Sequence, residues 1–166
     1  MGHEQDYWEG WRRFVIPKLG AIVQFLDELT RRELYVTSVS RNKEFVGAVQ
    51  MGEEAFEKYL HKRGFERNPL ASLKTIESTD EKEDGSWREI NPDGEKEFQL
   101  HVTFYDGKKI QNSDSDTVYI YAHYEYRWDV APIKHYKAID MDRKRGVELM
   151  RKYLDEDGVN YKFEQP

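Results

Sequence analysis

Cysteine is absent from the 166-residue chain, which excludes disulfides, cysteine–zinc sites and thiol nucleophiles together. Long apolar runs are absent too: none approaches the roughly 20 residues that a membrane-spanning helix needs. Positive charge is not in excess. With 26 basic against 32 acidic residues the net charge is −6, so no general basic coat for nucleic acid is expected. The opening "MGHEQDYWEGW" has neither the basic nor the apolar region of a secretory signal. Asp6 stands where a myristoylation motif beginning at Gly2 needs Ser or Thr. These absences predict a soluble, cytoplasmic protein with no membrane partner.

What the chain does have is charge of both signs, at 35% of residues, and aromatic side chains, at 14%. Large rings fill a core with few residues, and this length suits one domain with a helical appendage. Over 6–29, apolar residues recur at Trp8, Trp11, Val15, Leu19, Ile22, Leu26 and Leu29. Steps of three and four predict an amphipathic helix, with Asp6 as its N-cap and a kink at Pro17. Residues 1–30 are thus read as an N-terminal helical segment and 31–166 as an α+β domain.

Within that domain "ELYVTSVS" (33–40) and "EFVGAVQ" (44–50) predict two strands, joined through "RNK" as a hairpin. "GEEAFEKYLHKRGF" (52–65) predicts a helix with acids first and bases last, closed by Gly64. An extended segment over 68–77, the acidic loop 77–85 and a returning strand 86–90 follow. Asn91-Pro92-Asp93-Gly94 is a turn by its chemistry. The longest strands are expected at 97–105 and 117–128, linked by a polar connection, with another strand over 132–139. Val147, Met150, Tyr153 and Leu154 mark a closing helix over 142–158, and 159–164 suits a short edge strand. The fold class this order predicts is α+β: a mostly antiparallel sheet of five to seven strands with helices packed on one face.

Strand alternation sorts the chemistry. Phe98, Leu100, Val102 and Phe104 share one face of 97–105, and Gln99, His101, Thr103 and Tyr105 the other. In 117–128, Tyr119, Tyr121, His123, Glu125 and Arg127 oppose Val118, Ile120 and Ala122. A hairpin that keeps the apolar faces together sets His101 opposite Tyr121 or His123. Either register gathers two imidazoles, a threonine hydroxyl, tyrosines, a carboxylate and a guanidinium. Histidine titrates near neutrality, a carboxylate orients it, and arginine clamps anions. His101, Thr103, His123 and Glu125 are therefore the candidate catalytic residues, with Tyr121 and Arg127 as candidate substrate contacts. Three of the five histidines, His101, His123 and His135, fall close together in sequence. Against this stands the ordinary reading, in which one side of an antiparallel sheet is polar because it faces water.

"LHVTFYDG" resembles the His–hydrophobic–Thr/Ser–hydrophobic tetrad of the two-histidine phosphoesterases. The resemblance implies His101 as acid or base and Thr103 as a phosphate donor. The second tetrad of that family is missing, because Glu125 stands where Ser or Thr should follow His123. His101, His123 and Glu125 also form a two-histidine, one-carboxylate set of the kind that holds zinc. His123 and Glu125 lie about 6–7 Å apart along one strand face. No metal or other cofactor is assigned from the sequence. Asn112, Asp114 and Asp116 alternate like the opening of a calcium loop, but Thr117 and His123 occupy the positions of its required Gly and Glu.

Taken together, "EFVGAVQMGEEAFEKYLHKRGFERNPLASLKT", "DGSWRE", "QLHVTFYDG", "VYIYAHYEYRWDVAPIKHY" and "GVELMRKYL" resemble a small haloarchaeal and archaeal-virus family without an assigned activity. The resemblance spans approximately 44–154. It implies a viral, proviral or plasmid origin and supplies no catalytic residue. The expected function is accordingly that of a binding or accessory protein, the alternative being a phosphoesterase-like or metal-dependent hydrolase using the His101/His123 face. The near-heptad seam Val15, Leu19, Ile22, Leu26, Leu29 suits either packing on the chain's own sheet or a homodimer.

Overall fold

The computed structural model describes residues 39–68, 74–77, 79, 81–111 and 116–166. The helix expected over 6–29, its dimer seam, the domain division at 30, most of the strand over 33–40 and much of the 112–117 loop lie outside these residues. In chain order the elements are β1 (Val39–Ser40), a 3-10 turn (Asn42–Glu44), β2 (Phe45–Val49), α1 (Glu53–Lys62), β3 (Glu66–Arg67) and β4 (Thr75–Ile76). Then come β5 (Gly85–Ile90), a 3-10 turn (Pro92–Gly94), β6 (Phe98–Asp106), α2 (Gly107–Gln111) and β7 (Val118–Tyr126). The chain closes with α3 (Pro132–Tyr136), α4 (Arg143–Glu156) and β8 (Tyr161–Lys162).

Six strands form an antiparallel sheet in the order β3-β5-β6-β7-β2-β8, and the fold is α+β as expected. The centre is the β6–β7 pair, where His101 stands opposite His123 and Thr103 opposite Tyr121. Asn91 and Asp93 carry the β5–β6 connection through left-handed conformations, at φ 57° and 56°, which Asn and Asp tolerate better than most residues.

One sheet face buries Leu100, Val102, Phe104, Val118, Ile120 and Ala122 against α1 and α4. Helix α1 contributes Phe56 and Leu60 from a helix that begins with Glu53 and Glu54 and ends with His61 and Lys62, as the backbone dipole favours. Gly64 follows it at φ 99°, a conformation for which glycine has no steric penalty. Helix α4 is capped by Asp142, whose side chain accepts from Arg145 N at 2.9 Å. It lays Val147, Met150 and Leu154 on the sheet.

Several sequence expectations are corrected. The first two strands do not make a hairpin: β1 pairs in parallel with β4 in a separate two-stranded sheet. Its Ser40 meets Thr103 and Tyr105 across the layer, so β1 covers the large sheet instead of extending it. The segment before the acidic loop does not pair with the strand after it, because β5 takes β3 as its outer neighbour. Residues 132–136 are helix, not strand. Proline suits the first turn of a helix, and the exposed apolar residues there, Val130, Ile133, Tyr136 and Ile139, keep a three-residue step that alternation had masked. The connection after β6 opens with the helical turn α2.

The largest correction concerns the second sheet face. It does not face water. Phe45, Ala48, Ile76, Tyr105, Tyr119 and Tyr121 form a second apolar cluster there, and the polar residues between them are buried as well. An antiparallel sheet with one wet face is common; here β1 and β4 add a third layer over it. Among the described residues, no helix is long and apolar enough to cross a membrane.

Candidate functional site

The buried polar residues converge on three side chains. His101 is 4% exposed, His123 3% and Glu125 2%. His101 Nδ1 lies 3.1 Å from His123 Nε2 and 3.2 Å from Glu125 Oε1, and His123 Nε2 lies 3.4 Å from Glu125 Oε2. The register places them: His101 and His123 are direct cross-strand partners, and Glu125 follows on the same face two residues along.

Each of the three is held from behind. Ser86 Oγ lies 2.7 Å from His101 Nε2. Glu44 Oε1 faces His123 Nδ1 at 3.7 Å. Gln99 Nε2 donates to Glu125 Oε1 at 2.9 Å, while Arg88 reaches Gln99 Oε1 at 3.4 Å and is paired with Glu66 at 2.7 Å. Glu44 is itself fixed by Arg143 Nε at 2.9 Å and by the Arg41 backbone N–H at 3.0 Å.

Burial, followed by the positive field of Lys74, pushes the His101 imidazole down to about 3, so this ring is neutral near pH 7. Burial opposes the charge on Glu125, yet His123 and then His101 hold its carboxyl well below the usual range. Glu44 is likewise buried but held low, by His123, Lys74, the Arg41 N–H and Arg143. Among the described residues, Glu125 meets Gln99, His101, His123 and His135, and no lysine or arginine touches it. Burying a carboxylate is costly unless it is paired, and here its partners are histidines and a glutamine.

His135 joins the group from α3. Its Nδ1 is 2.8 Å from the Tyr126 carbonyl oxygen and 3.4 Å from Glu125 Oε2, and its side chain is 26% exposed.

Other candidates from the sequence sit elsewhere. Thr103 Oγ1 is 3.2 Å from Ser40 Oγ, which also accepts from the Tyr105 hydroxyl at 2.8 Å. Tyr121 packs edge-on against Phe45 and Tyr105, and its buried hydroxyl has no hydrogen-bond partner among the described residues. Arg127 turns away: it binds Asp129 at 2.6 Å and Asn91 at 2.9 Å. The guanidinium groups linked to the site are those of Arg88, opposite His101 on β5 and joined through Gln99, and Arg143, joined through Glu44. Ser86 and Arg88 were within reach of the alternation argument, because "GSWREI" places them on one side of Trp87. Glu44 was not, since it lies in a 3-10 turn between strands.

The three donors lie close enough together that they could hold one metal ion. His101, His123 and Glu125 each offer a ligand atom within 4.8 Å of the others. A tetrahedral zinc ion with bonds of about 2.0–2.1 Å has ligand atoms roughly 3.4 Å apart; here the two imidazole nitrogens are 3.1 Å apart, and each lies near a different oxygen of Glu125, His101 at 3.2 Å from Oε1 and His123 at 3.4 Å from Oε2. No protein-family model, no curated protein and no solved structure matches the chain.

Proposed function

We propose that this is a metal-ion-binding protein whose His101–His123–Glu125 centre takes a divalent transition ion, with zinc the best fit to two imidazoles and a carboxylate. The observation that carries the reading is the set of partners behind the ligands. With an ion on His101 Nδ1 and His123 Nε2, the protons move to the far nitrogens. There Ser86 Oγ stands as an acceptor at 2.7 Å and the Glu44 carboxylate lies 3.7 Å away, an approach to the carboxylate–histidine–metal arrangement of built sites. A dication would also add positive charge beside Glu125, which among the described residues meets no lysine or arginine.

The same observations weigh against hydrolytic use of this face. Thr103 is engaged by Ser40 and Arg127 by Asp129, and the two imidazoles are screened from solvent. This reading makes the chain a binding protein, in keeping with its expected class.

The test is equilibrium dialysis of the purified, chelator-stripped chain against zinc, with Co(II) absorption as a second probe. One ion per chain, lost in His101→Ala and Glu125→Gln, is the expected result. A wild-type chain that retains no zinc at micromolar concentrations, or binds it equally well in both variants, overturns the proposal.

A further inference from the structure

Three ligands leave a tetrahedral ion one short, and the structure offers a fourth. We infer that His135 closes the coordination sphere, so that α3 is the movable cover through which the ion enters. This rests on the ion-binding reading above.

Three observations support it. First, His135 Nδ1 is as far from Glu125 Oε2 as His123 Nε2 is, 3.4 Å in both cases, which matches the roughly 3.4 Å edge between ligands of a tetrahedral zinc ion. Second, it is the group on the solvent side. Its side chain is 26% exposed, against 3–5% for the other three, so an ion approaching Glu125 from this side meets His135 first.

Third, α3 is built to shift. It is a single turn of five residues, none of them buried, with Ile133 69% exposed. The chain leaves it through Ala138 at φ 49° and Asp140 at φ 54°, a left-handed pair with no glycine to ease it. A small rigid movement of the turn breaks few apolar contacts. It exchanges the His135 bond to the Tyr126 carbonyl for a bond to the ion.

The other candidate for the fourth position is Glu44, and the geometry sets it aside. Glu44 faces His123 Nδ1, the ring nitrogen remote from His101 and Glu125. It orients the ligand from behind and does not face the ion.

The experiment is a proton–cadmium correlation spectrum of the cadmium-loaded full chain, which reports each imidazole bonded to the ion directly. Three correlated imidazoles are expected, falling to two in His135→Ala, with zinc affinity in that variant reduced by about tenfold or more. Backbone amide shifts over 132–139 on ion addition should appear in the wild type and shrink in the variant. Two imidazoles in the wild type, with unchanged affinity in His135→Ala, overturn the role of His135 and leave the three-ligand centre standing. A wild-type chain that binds neither cadmium nor zinc overturns both readings together. Because His135 is part-exposed and outside both apolar clusters, its replacement by alanine spares the fold.

Discussion

His101 and His123 face each other across the β6–β7 pair with Nδ1 of one 3.1 Å from Nε2 of the other, their rings 78° apart. The two facing nitrogens have room for at most one proton along that line. The arrangement therefore depends on what their far nitrogens meet, and for His101 that is Ser86. Replacing Ser86 by alanine removes the acceptor without opening the ligand set. Zinc affinity should fall by about tenfold, at the low end of the range for outer-shell partners, with the Co(II) spectrum retaining the wild-type band positions. Unchanged affinity in dialysis would show that Ser86 is only packed there.

Thr103 has a structural task in this fold. Its hydroxyl and that of Tyr105 both engage Ser40, tying the small parallel sheet to the large one. Thr103→Val should lower unfolding free energy by about 1 kcal/mol, the usual net worth of such a bond, and leave zinc affinity within twofold. A double-mutant cycle between Ser40→Ala and Tyr105→Phe should give a coupling of about 0.5–1.5 kcal/mol. If Thr103→Val abolished ligand binding while urea unfolding stayed wild-type, Thr103 would belong to the site after all.

Much of this could be read before the structure. The parity of "FQLHVTFYD" and "VYIYAHYEY" set the shared face of His101, His123 and Glu125, because side chains alternate along a regular strand and the β6–β7 register is unbroken. It could not set what covers that face. Over Thr103 and Tyr105 the cover comes from β1 and β4, strands of two residues each, too short to carry a periodic signal. Glu44 acts from a turn for the same reason. Arg127 and Arg88 differ in a way alternation cannot express: both have the right parity, but β7 ends at Tyr126, and beyond the strand Arg127 finds Asp129 and Asn91. His135 was hidden because Pro132 to Tyr136 alternates in a way that also suits a strand, and proline at a helix start resolves the ambiguity only in hindsight.

Glu89 on β5 is the carboxylate whose environment works against its charge. Burial raises its pKa above the ordinary value, only partly offset by Tyr153 and Arg63, and among the described residues its buried Oε2 has no hydrogen-bond partner. A carboxyl whose pKa is higher in the folded state binds its proton more tightly there. Its contribution is therefore most favourable below the unfolded value of about 4.3, and declines as pH rises through the window between that value and the raised one. Glu89→Gln removes this decline. The variant's advantage over wild type in urea denaturation should be least near pH 4, widen as pH increases and level off by neutrality. A gap that is constant with pH would place the stabilisation elsewhere.

Gly146 links the helical layer to the site. It sits within α4, where glycine ordinarily costs about 1 kcal/mol relative to alanine, so its presence needs a reason on the packing side. The reason is contact with β7: a Cβ added at 146 would lie 2.3 Å from His123 Cα, 2.5 Å from His123 C and 2.7 Å from Tyr124 N. These are backbone atoms of a central strand and cannot turn aside as a side chain would. Gly146→Ala must push α4 off the sheet or displace the strand at His123 itself. Overpacking of this kind costs about 1–3 kcal/mol, against the roughly 1 kcal/mol that helix propensity returns. The variant should lose stability in thermal unfolding and, because His123 carries the strain, lose zinc affinity further than an equally destabilising substitution such as Leu154→Ala on the same helix. Equal affinities in the two variants would mean that α4 yields and the strand does not.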